Sequence, residues 1–91
     1  MPEWTPETAE AIAREAGIGP LSTDHWTVLA HCREDAVRRG FAPSLRRLAE
    51  LTGLGGARIA QLFPGRPSAL VARIAGLEPP REWPRDLQGR L

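Results

Sequence analysis

Residues 21–40, LSTDHWTVLAHCREDAVRRG, carry a start, an apolar stripe and a stop in one stretch. Ser22 or Thr23 offers a side-chain oxygen that accepts a hydrogen bond from the unpaired N–H groups of a first helical turn. Trp26, Leu29, Ala30, Ala36 and Val37 follow near helical spacing as an inward stripe, with Arg33, Glu34, Arg38 and Arg39 on wetter faces. Gly40 is the stop. The stretch reads as one amphipathic helix.

The same pattern continues on both sides at shorter lengths. Upstream, Thr5 caps a helix over 6–16, Pro6 suits its first position, and Glu7 and Glu10 complement its positive start. Ala9, Ile12, Ala13 and Ala16 share one face of it, and Gly17 stops it. Downstream, a helix over 44–52 contributes Leu45, Leu48 and Ala49. A short helix after Gly53-Leu54-Gly55-Gly56 contributes Ile59, Leu62 and Phe63 and ends at Pro64-Gly65. A fifth, over 67–75, buries Leu70, Val71 and Ile74 and stops at Gly76. No stretch alternates for long enough to make a strand, and from Glu78 onward no period persists. The expected fold is all-α: a small five-helix orthogonal bundle with a helix-turn-helix-like element and a flexible C-terminal arm. The helical domain is expected over 1–80 and the arm over 81–91.

Composition narrows the function. The chain has 91 residues, 42% of them hydrophobic and 25% charged, as expected of one globular domain. At that size about 60–65% of the unfolded surface leaves water, so the core must come from several short amphipathic segments together. A formal net charge of +1 argues against strong sequence-independent binding of nucleic acid, which needs a clear basic excess. No apolar run approaches the roughly 20 residues of a membrane span, and the first ten residues, MPEWTPETAE, show no export signal. A single cysteine makes no internal disulfide, which fits a reducing cytoplasm.

The usual catalytic arrangements are missing. His25 and His31 stand six apart with no second cysteine to complete a zinc set, and His25 falls where a helix-start role suits it better. Gly53-Leu54-Gly55-Gly56 follows a helix and lacks the Lys-Ser/Thr of a phosphate loop. Glu34 and Asp35 are adjacent, so on a helix they diverge by about 100° and form no acid/base pair. Cys32 lies between inward Leu29-Ala30 and outward Arg33, which suggests a partly buried, structural thiol. No metal or cofactor is expected. Leu48, Ala49, Gly53, Leu54, Ile59 and Leu62 fit the helix-turn-helix template, in which a small residue allows close approach and a glycine makes the turn. The second helix of that pair starts Gly55-Gly56-Ala57, leaving Arg58 and Gln61 as the side chains able to reach a base edge. Arg38, Arg39, Arg46, Arg47, Arg58, Arg66 and Arg73 form either one basic face or, as the simpler reading, a solvated surface.

Several motifs line up in order with one family. Leu21-Ser22-Thr23-Asp24-His25-Trp26, Pro43-Ser44-Leu45-Arg46-Arg47-Leu48, Leu62-Phe63-Pro64-Gly65-Arg66-Pro67 and Ile74-Ala75-Gly76-Leu77-Glu78-Pro79-Pro80 together resemble the DsrC/TusE sulfur-relay family, from residue 4 to about 83. The resemblance implies a small helical domain whose C-terminal arm carries sulfur as a persulfide between larger partner enzymes. It places one family cysteine at Trp83, near the arm's end, and a second, found in the DsrC branch, at Ala72. Neither residue can hold sulfur. The chain departs from the family in three further ways: it starts at the first helix, without a preceding strand pair, it is shorter between Arg46 and Leu62, and it runs past Trp83 to Leu91. Persulfide transfer needs a thiolate nucleophile. The resemblance without the thiols therefore points to a non-catalytic regulatory or adaptor protein in sulfur metabolism. Its partner would be a larger sulfur-metabolism enzyme, met in the cytoplasm. Trp83 would either close the core or anchor in a partner's pocket. The alternatives are a DNA-binding helix-turn-helix regulator and a sulfur carrier that uses Cys32.

Overall fold

The computed structural model describes residues 3–78, which hold five α-helices and, among these residues, no strand. They are α1 (Pro6–Glu15), α2 (Thr23–Arg39), α3 (Leu45–Thr52), α4 (Gly56–Leu62) and α5 (Pro67–Ile74). The expected small all-α fold is what forms. Residues 79–91, and with them Trp83 and the expected arm, lie outside the described residues. No helix among those described is long and apolar enough to cross a membrane.

Four of the five helices have seven to ten residues. Helices that short are marginal alone in water, so their ends need partners. Thr5 Oγ1 accepts from the Thr8 N–H at 3.2 Å and Ser44 Oγ from the Arg47 N–H at 3.1 Å. At α2 the cap is reciprocal. Ser22 Oγ faces the His25 N–H at 3.4 Å, while the Ser22 N–H donates to His25 Nδ1 at 3.0 Å. With Nδ1 accepting, the ring proton sits on Nε2, which donates to the Leu62 carbonyl at the end of α4 at 2.9 Å. One imidazole therefore starts α2 and ends α4. The ring also meets Phe63 edge-on, with centroids 5.1 Å apart. Gly40 and Gly53 end α2 and α3 in the left-handed region, at φ 85° and 72°.

The long α2 packs against α3, α4 and α5, with α1 on α5 and α3 on α4. Between them lie Val28, Leu29, Cys32, Leu48, Ile59, Phe63, Val71 and Ile74, each 0–1% exposed. The buried face of α2 is Val28, Leu29, Cys32, Asp35 and Ala36, which corrects the expected stripe. Ala30 is exposed and Val37 is 86% exposed. A residue 100° round from the buried face leaves it, and the face is centred on Cys32. Cys32 is accordingly fully buried rather than partly so. Asp35, a carboxylate, takes an inward position because Arg47 reaches its Oδ1 from α3 at 2.9 Å, while Arg39 faces Oδ2 at 3.6 Å.

His25→Ala removes a cap and leaves the Leu62 carbonyl without its partner. The urea midpoint should fall, corresponding to a loss of about 2 kcal/mol, with the m-value unchanged. A midpoint that stays put would mean the imidazole bridge contributes nothing.

Candidate site at the root of the C-terminal segment

The family resemblance directs attention to the end of α5, where the C-terminal segment begins. Gly76, at φ 77°, turns the chain there, and the Leu77 N–H reaches back to the Ala72 carbonyl at 2.8 Å. This pairing satisfies one of the carbonyls that a helix end leaves open. Two more are capped from elsewhere in the chain. Trp4 Nε1 donates to the Ile74 carbonyl at 2.8 Å, and Arg33 donates from α2 to the Ala75 carbonyl at 2.6 Å. The Arg33 guanidinium lies 4.0 Å from the centre of the Trp4 ring, a cation–π contact. Trp4 covers Gly76 so closely that a Cβ there would stand 2.5 Å from Trp4 Cδ1. Position 76 therefore demands glycine twice, by conformation and by space.

Leu77 borders two grooves. One is formed with Ala36, Val37, Phe41, Ala42 and Glu78 at the end of α2. The other runs along α5, with Ala16, Leu70, Arg66 and Arg73. Val37 and Phe41, 86% and 45% exposed, are the exposed large hydrophobics of the described residues. Arg39 stacks on Phe41, 4.7 Å from the ring centre.

Among the described residues no thiol or hydroxyl lines either groove. Cys32 is 1% exposed, and its thiol is pushed up to about 12, first by burial and then by the charge of Asp35, against the pull of Arg33. Ala72, the α5 position that the resemblance pairs with a family cysteine, is fully buried. Among the described residues no group of three His, Cys, Asp or Glu side chains could hold a metal ion. His31 is half-buried on α2, away from His25's bridge. Arg58, one of the two side chains expected to reach a base edge, is held by Asp24 through bonds of 3.0 and 3.4 Å, and Gln61 is exposed on α4. The central arginines do not form one free basic face. Arg38, Arg39, Arg47, Arg58 and Arg73 each stand within 4 Å of a carboxylate.

Residues 1–82 match the family model described as DsrC like protein. This chain belongs to the DsrC-like family. It is 31% identical over 78 residues to the gamma subunit of the dissimilatory-type sulfite reductase of Nitratidesulfovibrio vulgaris, covering 86% of this chain and 74% of that one. It is 33% identical over 85 residues to the sulfurtransferase TusE of Salmonella typhimurium, covering 86% and 77%. The fold superposes on Allochromatium vinosum DsrC with a TM-score of 0.76 at 30% identity, covering 88% of this chain and 77% of that one. On a chain of the dissimilatory sulfite reductase I crystal structure the TM-score is 0.78 at 32%, covering 87% and 76%. Membership places the DsrC-like chain among proteins of sulfur metabolism.

The sequence pointed to the arm and its motifs but not to the seal at its root. The resemblance begins at Trp4, yet nothing local tells that its indole reaches a carbonyl 70 residues away. The wet-face register of Arg33 carries no sign of its reach to α5. The apolar side chain of Val37 suggests the core, although its place between Ala36 and Arg38 fits the surface equally well.

Trp4→Phe keeps most of the ring and deletes the bond to Ile74. It should destabilise the domain by about 1 kcal/mol and speed hydrogen exchange at the Gly76 and Leu77 amides. Unchanged exchange there would mean that Trp4 does not hold the root. Cys32 sets a second expectation. An unfolded-chain cysteine ionises near about 8.5, whereas the folded thiol holds its proton to about 12. Between those values the unfolded state binds fewer protons, so stability falls as pH rises, by roughly 1 kcal/mol per pH unit. Urea midpoints at about pH 9 and 10 should drop more steeply for the natural chain than for Cys32→Ala. Parallel profiles would mean that the thiol titrates alike in both states.

Proposed function

We propose that this DsrC-like chain acts in cytoplasmic sulfur metabolism as a docking partner that carries no sulfur of its own. The observation that supports this most strongly is the condition of its one cysteine. A thiol becomes nucleophilic as an exposed thiolate, and Cys32 is 1% exposed with its ionisation pushed up to about 12. Ala72 and Trp83, which stand in this reading where family cysteines stand, have no sulfur to give. The chain then keeps a helical domain over 1–80, an arm over 81–91 and surfaces for binding, without the reaction. It is not an enzyme in this reading.

The partner is a larger enzyme of sulfur metabolism. One relative is named as a subunit of a sulfite reductase, so a chain of this kind is found within a larger assembly. The apolar groove of Val37, Phe41, Ala42 and Leu77, beside the start of the C-terminal segment, is the kind of surface a protein partner uses. The DNA alternative has no comparable support, since Arg58 is already paired with Asp24.

Incubation of the full chain with a persulfide donor, followed by intact mass measurement, tests the reading. The expected mass is unchanged under native conditions. A stoichiometric gain of one sulfur that disappears in Cys32→Ser would overturn it in favour of a carrier that uses Cys32.

A further inference from the structure

The groove along α5 puts charge and apolar surface on one face. Arg66, Ala69, Leu70 and Arg73 line it at helical spacing, so they lie on the same side of the helix. Ala16 at the end of α1, Pro64 and Leu77 complete its walls. Neither arginine is firmly paired among the described residues. No carboxylate there stands within 4 Å of Arg66. Arg73 reaches Glu15 only at 3.9 Å, and with side chains 59% and 70% exposed that pair is worth little in water. The first turn of α5 holds no acidic residue, so the positive end of that helix also stays unbalanced. We infer that this groove binds an acidic amphipathic helix of a partner protein, whose carboxylates seven residues apart meet Arg66 and Arg73.

Spacing, shape and charge select that occupant. Seven residues make about two turns, so the two arginines stem from points about 10 Å apart along α5. A helix lying in the groove presents its own residues i and i+7 at the same separation, with i+3 and i+4 between them. Apolar side chains at those two places meet Leu70 and Leu77, while the small Ala16 and Ala69 let a second backbone come near. Each guanidinium is a planar fork that takes a carboxylate through two bonds. Two arginines over an apolar floor are too few for a nucleic-acid backbone, which takes a longer row of cations. A second copy of this chain lacks the matching face. Among the described residues no helix carries two acidic residues seven apart, and the nearest case, Glu3 with Glu10, fails because Glu3 precedes α1.

The inference rests on the reading of the DsrC-like chain as a docking partner, and adds to it a surface and the chemistry of the contact.

The sequence holds no lysine, so one introduced lysine marks one place on the surface. Carbodiimide coupling joins a lysine amine to a carboxylate in direct contact with it. Arg66→Lys keeps the charge and supplies that amine, as does Arg73→Lys made together with Glu15→Gln to remove the internal acid. Arg46→Lys, exposed on α3 and lining neither groove, is the control. Each full chain is coupled in a lysate of the cells that make it, and the joined peptides are sequenced by mass spectrometry. The two groove lysines should join acidic residues about seven positions apart in one segment, which Arg46→Lys does not join. A synthetic peptide of that segment should bind the natural chain and V37S/F41S alike, and R66E/R73E at least about tenfold more weakly. No joined peptide, joined acids in unrelated segments, or the same segment joined by Arg46→Lys would each overturn the inference. So would a join to a second copy, or a peptide that binds R66E/R73E as well as the natural chain. A segment of the expected spacing in a protein outside sulfur metabolism would uphold the groove assignment and overturn the proposed partner instead.

Discussion

The bond from the Trp4 indole to the Ile74 carbonyl closes the molecule, and the Arg33 bond to the next carbonyl locks it. Both act on the end of α5, an eight-residue helix whose Val71, Ala72 and Ile74, with the capping Ala75, are all fully buried. A helix this short supplies little stability by itself, and its last carbonyls are part-buried where Trp4 and Arg33 meet them. Each buried carbonyl left without a donor would cost about 1–3 kcal/mol. An arginine there does more than donate, since its charge also opposes the negative end of the helix dipole. The segment before α1, the middle of α2 and the end of α5 are thereby tied at one point.

The start of α2 uses the same device. His25 completes the α2 cap with one ring nitrogen and holds the Leu62 carbonyl, at the end of α4, with the other. In both places a side chain from one helix, or from the residues just before one, finishes another helix. A chain of this size cannot rely on a large apolar core alone, and short helices that end one another become a cooperative unit. The buried Asp35 follows the same logic across α2 and α3, since its charge is tolerable only because Arg47 and Arg39 meet it.

How much of this the sequence revealed depended on how local the cause was. Thr5, Ser22, Ser44, Gly17, Gly40 and Gly53 act on backbone groups within a few residues, and from them the helix limits could be read almost to the residue. The inward stripe of α2 was less legible. Its centre is set by what packs on it, and with Ala, Val and Cys as the small apolar choices the phase was open by about one residue, enough to misplace Ala30 and Val37. Asp35 was hidden for a different reason, because its inward place depends on an arginine from another helix. The arm motifs marked where a site would be, whereas Trp4 and Arg33, which hold its root, act over 70 and 42 residues and leave no local signature.

The sealed root also bears on chemistry. Ala72 is fully buried, and its carbonyl is already bonded to the Leu77 N–H that reverses the chain. A thiol placed at Ala72 would therefore be shielded by the packing around α5. Cys32 faces the same obstacle one layer away on α2, with burial keeping it protonated. Burial that stabilises this end of the molecule is also what keeps the Cys32 thiol protonated. In contrast, Val37 and Phe41 are open to contact without any opening of the helices.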